Sequence, residues 1–130
     1  MATRTYVREV LVGQVLTLAP SLNMPIFWEN RESADLDKIK VGFLEVIVDF
    51  TETALISTGG IKGHSGLLVL AFYTREGEGT VKELEVGDLL DQLSVKHVGG
   101  VHTGAMTPGT KKTKQGWRRT EWLVPFSFYS

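Results

Sequence analysis

The segment LLVLAFYTREGEGTVKELEVGDLLDQL, Leu67 to Leu93, joins a strand, a turn and a helix in one stretch. Its first part, residues 67–74, is apolar at nearly every position, which is typical of a central strand that packs on both faces. From about Val81 to Leu93, apolar residues recur at helical spacing and predict a helix. The dry stripe of this helix comprises Leu84, Val86, Leu89, Leu90 and Leu93.

The glycine-rich turn between them has the outline of a phosphate-binding loop, but its residues do not suit an anion. Such a loop points backbone N–H groups at the phosphate and usually adds a lysine and a hydroxyl. Here Glu76 and Glu78 would repel a phosphate, and the Gly-Lys-Ser/Thr ending is missing. Thr80 and Glu83 instead predict a capping box at the start of the helix. We interpret the turn as a corner of the chain.

Upstream of this segment, the sequence predicts a helix, a short strand and a charged loop. Residues 3–18 place apolar side chains at steps of three and four, and Pro20 is expected to stop this helix. Ile26–Trp28 indicate a short strand. The charged segment RESADLDKIK, residues 31–40, indicates an exposed loop.

The clearest strand is predicted at Val41 to Thr51, where one side is apolar and the other is mixed. A glycine-containing segment follows, and Thr53 to Gly66 are predicted to form the long arm of a β-hairpin with a mobile tip.

Downstream, Val98 to Met106 indicate a strand, and Lys111, Lys112 and Lys114 indicate an exposed turn. Trp117 to Tyr129 form the predicted final strand, which Pro125 should place at an edge or interrupt with a bulge. The order helix, strands, helix, strands predicts one α+β domain over residues 1–130. Its sheet is expected to be mostly antiparallel, with both α-helices on one face.

Composition limits the classes of function. The chain has no cysteine, which excludes disulfides, thiol catalysis and zinc–thiolate sites. The formal net charge of -1 gives no general attraction to nucleic acid or to anionic lipid. No apolar run approaches the roughly 18 residues of a membrane span, and the first ten residues lack the apolar core of a signal peptide. We expect no membrane partner, and a reducing cytosol or a particle assembled there fits.

The polar residues do not assemble a reaction centre. His64, His97 and His102 have no carboxylate at a recognised metal spacing, although His97 and His102 can approach each other across a turn. The serines lack the Gly-x-Ser-x-Gly context of a hydrolase, and Asp35 and Asp37 lie in a solvated charge run. The sequence therefore predicts no catalytic residue, no metal and no cofactor.

Two oppositely charged segments are candidates for binding. The basic stretch KKTKQGWRR, residues 111–119, mixes cations with a tryptophan as nucleic-acid contacts often do, and it also fits a solvated hairpin tip. The acidic loop around Glu32, Asp35 and Asp37 is its counterpart. Opposite charges on one small domain favour head-to-tail contact between copies, which closes into a ring when the rotation allows.

Several segments stand in a recognisable order along nearly the whole chain. The helix VREVLVGQVLTLAP ends near a proline, and a Pro-Ile-x-Trp-Glu-Asn segment follows at residues 25–30. The strand FLEVIVDF and a glycine-containing hairpin lead to GEGTVKELEVGDLLDQL, and the aromatic strand WLVPFSFY comes last. This ordered set resembles the tail terminator, or tail completion, proteins of long-tailed phages. The chain departs from that pattern in the high charge of residues 31–40 and in the Arg-Glu before the second helix.

The resemblance implies a non-enzymatic assembly protein of the virion, made in the host cytoplasm. Such proteins form a ring, usually of six copies, at the head-proximal end of the tail. The ring stops growth of the tail tube, offers a surface to the head connector and lets genomic DNA pass through its centre without sequence-specific binding. The expected partners are therefore further copies of the chain, the major tail tube protein, the head–tail connector and DNA.

The resemblance itself carries over no ring-contact residue, so the contact candidates are chosen from the segments of this chain. Contacts with neighbouring subunits or with the tube are expected at Trp28, Glu29, Asn30, Glu32, Asp35, Asp37, Ile61 and Lys62. Lys111, Lys112 and Lys114 are expected to face the DNA channel or an acidic neighbour. Two alternatives stay open: a head–tail connector or stopper, and a small nucleic-acid-binding module that uses the basic stretch.

Overall fold

The computed structural model describes residues 3–28, 42–55, 59–75, 81–114 and 116–130. Within these ranges the chain forms two α-helices, a 3₁₀ turn and seven strands in a single sheet. The predicted charged loop at 31–40, the tip of the hairpin arm at 56–58 and the glycine turn with Thr80 lie outside the described residues.

The first helix, α1, spans Arg4–Leu22. Thr3 caps its start, since the Thr3 hydroxyl accepts a hydrogen bond from the Tyr6 N–H at 3.1 Å. The prediction that Pro20 stops this helix is wrong, because the helix continues through the proline to a left-handed cap at Asn23. The extra turn buries Leu22, which is only 2% exposed, and this burial offsets the backbone hydrogen bond that Pro20 cannot donate.

The second helix, α2, spans Val81–Leu90 and ends in a 3₁₀ turn at Asp91–Leu93. Most of its predicted dry stripe is confirmed, but Leu84 is 61% exposed. The inward position belongs instead to Glu83, which is 2% exposed. Glu83, Val86, Gly87 and Leu90 follow helical spacing and form the buried face of α2. The carboxylate can occupy that face because it forms an ion pair with Arg118.

Seven strands form the sheet in the order β1-β2-β3-β7-β5-β4, and β6 also pairs with β7. Their bounds are β1 Ile26–Trp28, β2 Phe43–Leu55, β3 Lys62–Arg75, β4 His97–Val98, β5 Val101–Thr103, β6 Thr107–Lys114 and β7 Trp117–Tyr129. All pairs are antiparallel except β1 with β2, which are parallel. The predicted central strand is confirmed, since β3 lies between β2 and β7.

Two predictions for the region before the final strand are wrong. Residues 98–106 do not form one strand, because Gly99 and Gly100 adopt positive φ values of 59° and 82° and fold the segment into the β4–β5 hairpin. Lys111, Lys112 and Lys114 are part of strand β6 rather than a turn. The chain reverses after β6, at Gly116, which has a φ of 80°.

Pro125 lies in an interior strand, so its predicted edge position is wrong, and the register with β3 runs through it without a bulge. The Pro125 carbonyl accepts a hydrogen bond from the Gly104 N–H at 2.8 Å, on the side where β7 changes partner from β6 to β5. The N–H and C=O of a strand residue point to the same side. Pro125 therefore lacks an N–H at the point where β7 passes from pairing with β6 to pairing with β5. No hydrogen bond of a regular strand pair is lost there.

Both helices pack on one face of the sheet, which confirms the predicted α+β architecture. Alternate residues of the three long strands meet the helices there, and the buried core residues of these three strands are Leu44, Val46, Val48, Leu68, Leu70, Phe72, Val124, Phe126 and Phe128. We call the opposite side of the sheet the open face. Residues of the open face alternate with the core residues along β2, β3 and β7.

Candidate functional site

The described contact candidates lie at separate places on the fold. Trp28, on β1, is half-buried and packs against the hydrophobic core. Ile61 and Lys62 are exposed where the arm enters β3, and Lys111 and Lys112 are exposed on β6. The other predicted contact residues, Glu29, Asn30, Glu32, Asp35 and Asp37, lie outside the described part of the chain. The structure thus places the basic segment but not its predicted acidic counterpart.

The hairpin arm is anchored at its base by a chain of hydrogen bonds through His64. The ring nitrogens of His64 lie 2.9 Å from the Thr53 hydroxyl and 2.6 Å from the Ser130 hydroxyl. The imidazole is buried and stacks on Phe128 with 4.6 Å between ring centroids. Lys62 and Ser130 also exchange two backbone hydrogen bonds of 3.0 Å. These contacts hold the arm to the end of β7.

An aromatic group covers one end of the open face. Phe43 stacks on Tyr73 with 4.4 Å between ring centroids and meets Phe27 and Trp117 edge-on, each at 5.3 Å. The guanidinium of Arg75 lies 4.1 Å from the centre of the Trp117 ring. Phe43 and Trp117 are each 4% exposed, so this end of the open face is a second small core.

A polar network continues from the aromatic group along the open face. The Arg119 guanidinium donates to the Tyr73 hydroxyl at 3.0 Å and to Glu121 at 2.6 Å, and the Tyr73 hydroxyl lies 3.3 Å from Glu45. Burial raises the pKa of Tyr73, and the Glu45 charge acts in the same direction. Burial alone would lower the pKa of Arg119, but its hydrogen bonds to Glu121 and Tyr73 outweigh that effect and raise it. The network therefore fixes a positive charge among carboxylates.

Sequence reasoning missed this network and the Glu83–Arg118 ion pair beneath α2. A signal for the network was present, because Arg119 and Glu121 alternate with Trp122 and Val124 and so belong to the opposite face of β7. Their partners Tyr73 and Glu45 come from other strands, and pairing register is needed to bring them together.

The predicted approach of His97 and His102 is confirmed. They are cross-strand partners in the β4–β5 hairpin, and their ring centroids lie 3.9 Å apart. Within the described ranges, no group of three or more histidine, aspartate or glutamate side chains is arranged to hold a metal ion.

Described residues line two shallow notches at places where elements meet. One of about 130 Å³ is lined by Arg4, Thr53 and His64, and another of about 270 Å³ lies between Gln14 and Lys96. Both are smaller than the roughly 300–1,000 Å³ typical of small-molecule sites. None of the described helices is long and apolar enough to cross a bilayer. Ile61 and Lys62 on the arm and Lys111 and Lys112 on β6 are exposed and accessible to a macromolecular partner.

Comparison with known proteins places the fold. No protein-family model matches the chain, and no curated protein matches it in sequence. Among solved structures, one chain without a functional name matches with a TM-score of 0.64 and 14% identity, over 92% of this chain and 94% of its own. A chain in a structure titled "Virion of native gene transfer agent (GTA) particle" matches with a TM-score of 0.58 and 12% identity. That match covers 87% of this chain and 84% of the other, so the two share a fold over most of their lengths.

Proposed function

We propose that this chain is a structural protein of a phage-like virion and forms a six-membered ring that caps the tail tube. The ring ends polymerisation of the tube and presents the surface to which the head attaches. It acts without catalysis and without a cofactor. Its place is the head-proximal end of the tail, and it is assembled in the host cytoplasm.

The observation that carries this proposal is the fold shared with a chain of the gene transfer agent virion. The likeness extends over 87% of this chain, so it covers most of the fold rather than one motif. The order of sequence segments that resembles tail terminator proteins supports the same role independently. The exposed surfaces also fit an assembly role, because they lie on strands and arms that a neighbouring copy can reach.

The proposed partners follow from the role. Further copies of the chain form the ring, the tail tube protein binds one side and the head–tail connector binds the other. Genomic DNA passes through the lumen of the ring without sequence-specific binding. Lys111 and Lys112 are exposed on β6, where their charge can meet the DNA or an acidic neighbour.

The test is tube polymerisation in the presence of the purified chain. We expect the protein to bind one end of each tail tube and to stop its elongation, with the mean tube length falling as the protein concentration rises. Tubes that elongate at an unchanged rate with bare ends would contradict the terminator role. Binding to a portal or adaptor ring with no affinity for tube ends would assign the chain to the head–tail connectors instead.

The exposed lysines of β6 favour one second candidate, a nucleic-acid-binding module. It predicts DNA affinity that falls steeply as salt rises and that weakens in Lys111→Glu and Lys112→Glu. A chain that binds no DNA at low salt would exclude this candidate while leaving the ring proposal intact.

A further inference from the structure

One long edge of the sheet, as far as the described residues form it, lies along β2. Strand β1 pairs with β2 only at Leu44–Val46, and within the described residues no strand pairs with that edge from Ile47 to Leu55. Natural sheets usually guard such an edge with charged side chains, proline, a β-bulge or a covering element. On β2 the register is irregular between Phe50 and Glu52. This stretch, IVDFTETAL, has neither lysine nor proline, and its charged residues are Asp49 and Glu52, both exposed.

At the opposite side of the sheet, β6 forms the edge along the first part of β7, and β5 and β4 lie beside its last part. Strand β6 pairs with β7 on one side, and the described part of the chain places no strand on its other side. Its exposed side chains include Lys111 and Lys112. Lys112 pairs with Arg119 and so lies on the open face, which is also the face of Asp49 and Glu52.

These charges decide which edges can pair. Two β2 edges would bring carboxylates together and two β6 edges would bring lysines together, so each edge resists pairing with its own copy. A β6 edge beside a β2 edge brings opposite charges together. The pattern thus disfavours a two-fold dimer and favours a head-to-tail contact, which is the type of contact that closes into a ring.

We propose that β6 of one copy adds to the open edge of β2 of the next copy, so that the sheet continues from subunit to subunit. This inference rests on the proposed ring and identifies the surface that builds it. Strand direction agrees: β2, β3, β7 and β6 alternate in direction, so β6 beside a following β2 continues the antiparallel pattern.

The register requires an offset between copies. Lys112 pairs with Arg119, Arg119 pairs with Tyr73, and Tyr73 pairs with Phe43, so Lys112 lies level with Phe43 across the sheet. Asp49 lies six residues further along β2. Six residues correspond to about 20 Å along a strand. Strands tilt and step in register when a sheet closes around an axis, so a ring supplies an offset of this kind. With this offset, β6 of one copy lies beyond the end of β1 of the next copy. It then faces the part of β2 that β1 does not pair with.

Cysteine cross-linking tests this contact cleanly, because the chain has no cysteine of its own. Copies with Asp49→Cys are mixed with copies with Lys112→Cys and oxidised, and each variant is also oxidised alone. We expect about tenfold more covalent dimer in the mixture than in either variant alone, since a disulfide forms only across a few ångströms. A chain carrying both cysteines should give a ladder that ends at the closed ring. The matched control pairs Lys112→Cys with Leu16→Cys, which is exposed on α1.

Charge reversal gives a second readout. Asp49→Lys or Lys112→Glu alone should weaken self-association about fivefold, and the double variant should recover it. Rings that persist in native mass spectrometry without the Asp49–Lys112 cross-link would overturn this interface and leave the proposed ring standing. Cross-linking within a single variant, or equally in the control pair, would also overturn it. The absence of rings and cross-links both in solution and on purified tail tubes would overturn the interface and the proposed function together.

Discussion

Gly87→Ala tests how α2 packs on the sheet. A Cβ atom at Gly87 would lie 2.8 Å from Cζ2 and 3.0 Å from Cη2 of the Trp122 ring. Carbon atoms in contact prefer about 3.5–4.0 Å, so either the ring or the helix must move by roughly 0.7 Å. Trp122 is packed against the core and its ring is rigid, so we expect an overpacking cost of about 1–3 kcal/mol.

Gly13→Ala is the matched control, because Gly13 is also helical but a Cβ there meets no atom within 4 Å. Both substitutions gain about 0.5–1 kcal/mol of helix propensity, so the difference between the two variants isolates the steric cost. We expect Gly13→Ala to raise the free energy of unfolding. The free energy of unfolding of Gly87→Ala should be about 1–3 kcal/mol lower than that of Gly13→Ala.

The assay is urea denaturation followed by tryptophan fluorescence, with all variants at one protein concentration, because self-association would add to the apparent stability. Trp122→Phe in the Gly87→Ala background removes the colliding ring atoms and should shrink the gap. Equal stabilisation by Gly13→Ala and Gly87→Ala would refute the contact between α2 and Trp122.

Three further predictions use the same urea assay. Glu83→Gln should lower the free energy of unfolding by about 1–3 kcal/mol, because it leaves the Arg118 guanidinium without its buried carboxylate; Arg118 is partly exposed, which keeps the cost below that of a fully buried pair. Leu70→Ala, at a fully buried position, should cost about 2–5 kcal/mol, whereas Leu84→Ala on the exposed side of α2 should change stability by less than about 0.5 kcal/mol; similar costs would contradict the orientation of that helix. Because burial raises the pKa of Tyr73, its proton stabilises the fold below about pH 10, and this contribution is lost as pH rises through the folded-state pKa. Tyr73→Phe should therefore lose less stability than the native chain between pH 9 and pH 11, and parallel losses would show that Tyr73 does not titrate in this way.

Much of the fold could be predicted because local patterns decide it. The alternation along β2 and the bounds of the final strand, Trp117–Tyr129, match the structure, since both strands have one apolar side. The ends of elements were less predictable. Proline usually kinks or ends a helix when it lies in the interior. In this chain α1 continues past Pro20 because the extra turn buries Leu22.

The other errors arose where a residue's partner is distant in sequence. Glu83 lies on the buried side of α2 because Arg118 comes from β7, and no local pattern reveals that pairing. Lys111 and Lys112 were assigned to a turn from their charge, yet they lie on an edge strand, where lysines are common because they discourage unwanted strand pairing. Tertiary pairing decided these positions, and their roles in binding stay predictions.

The most direct test of the central claim is native mass spectrometry combined with negative-stain microscopy, on the chain alone and on the chain mixed with purified tail tubes. The account predicts a closed ring of six copies with a central hole, in solution or seated on one end of each tube. Monomers or two-fold dimers at every concentration, together with tube ends that stay bare, would contradict it.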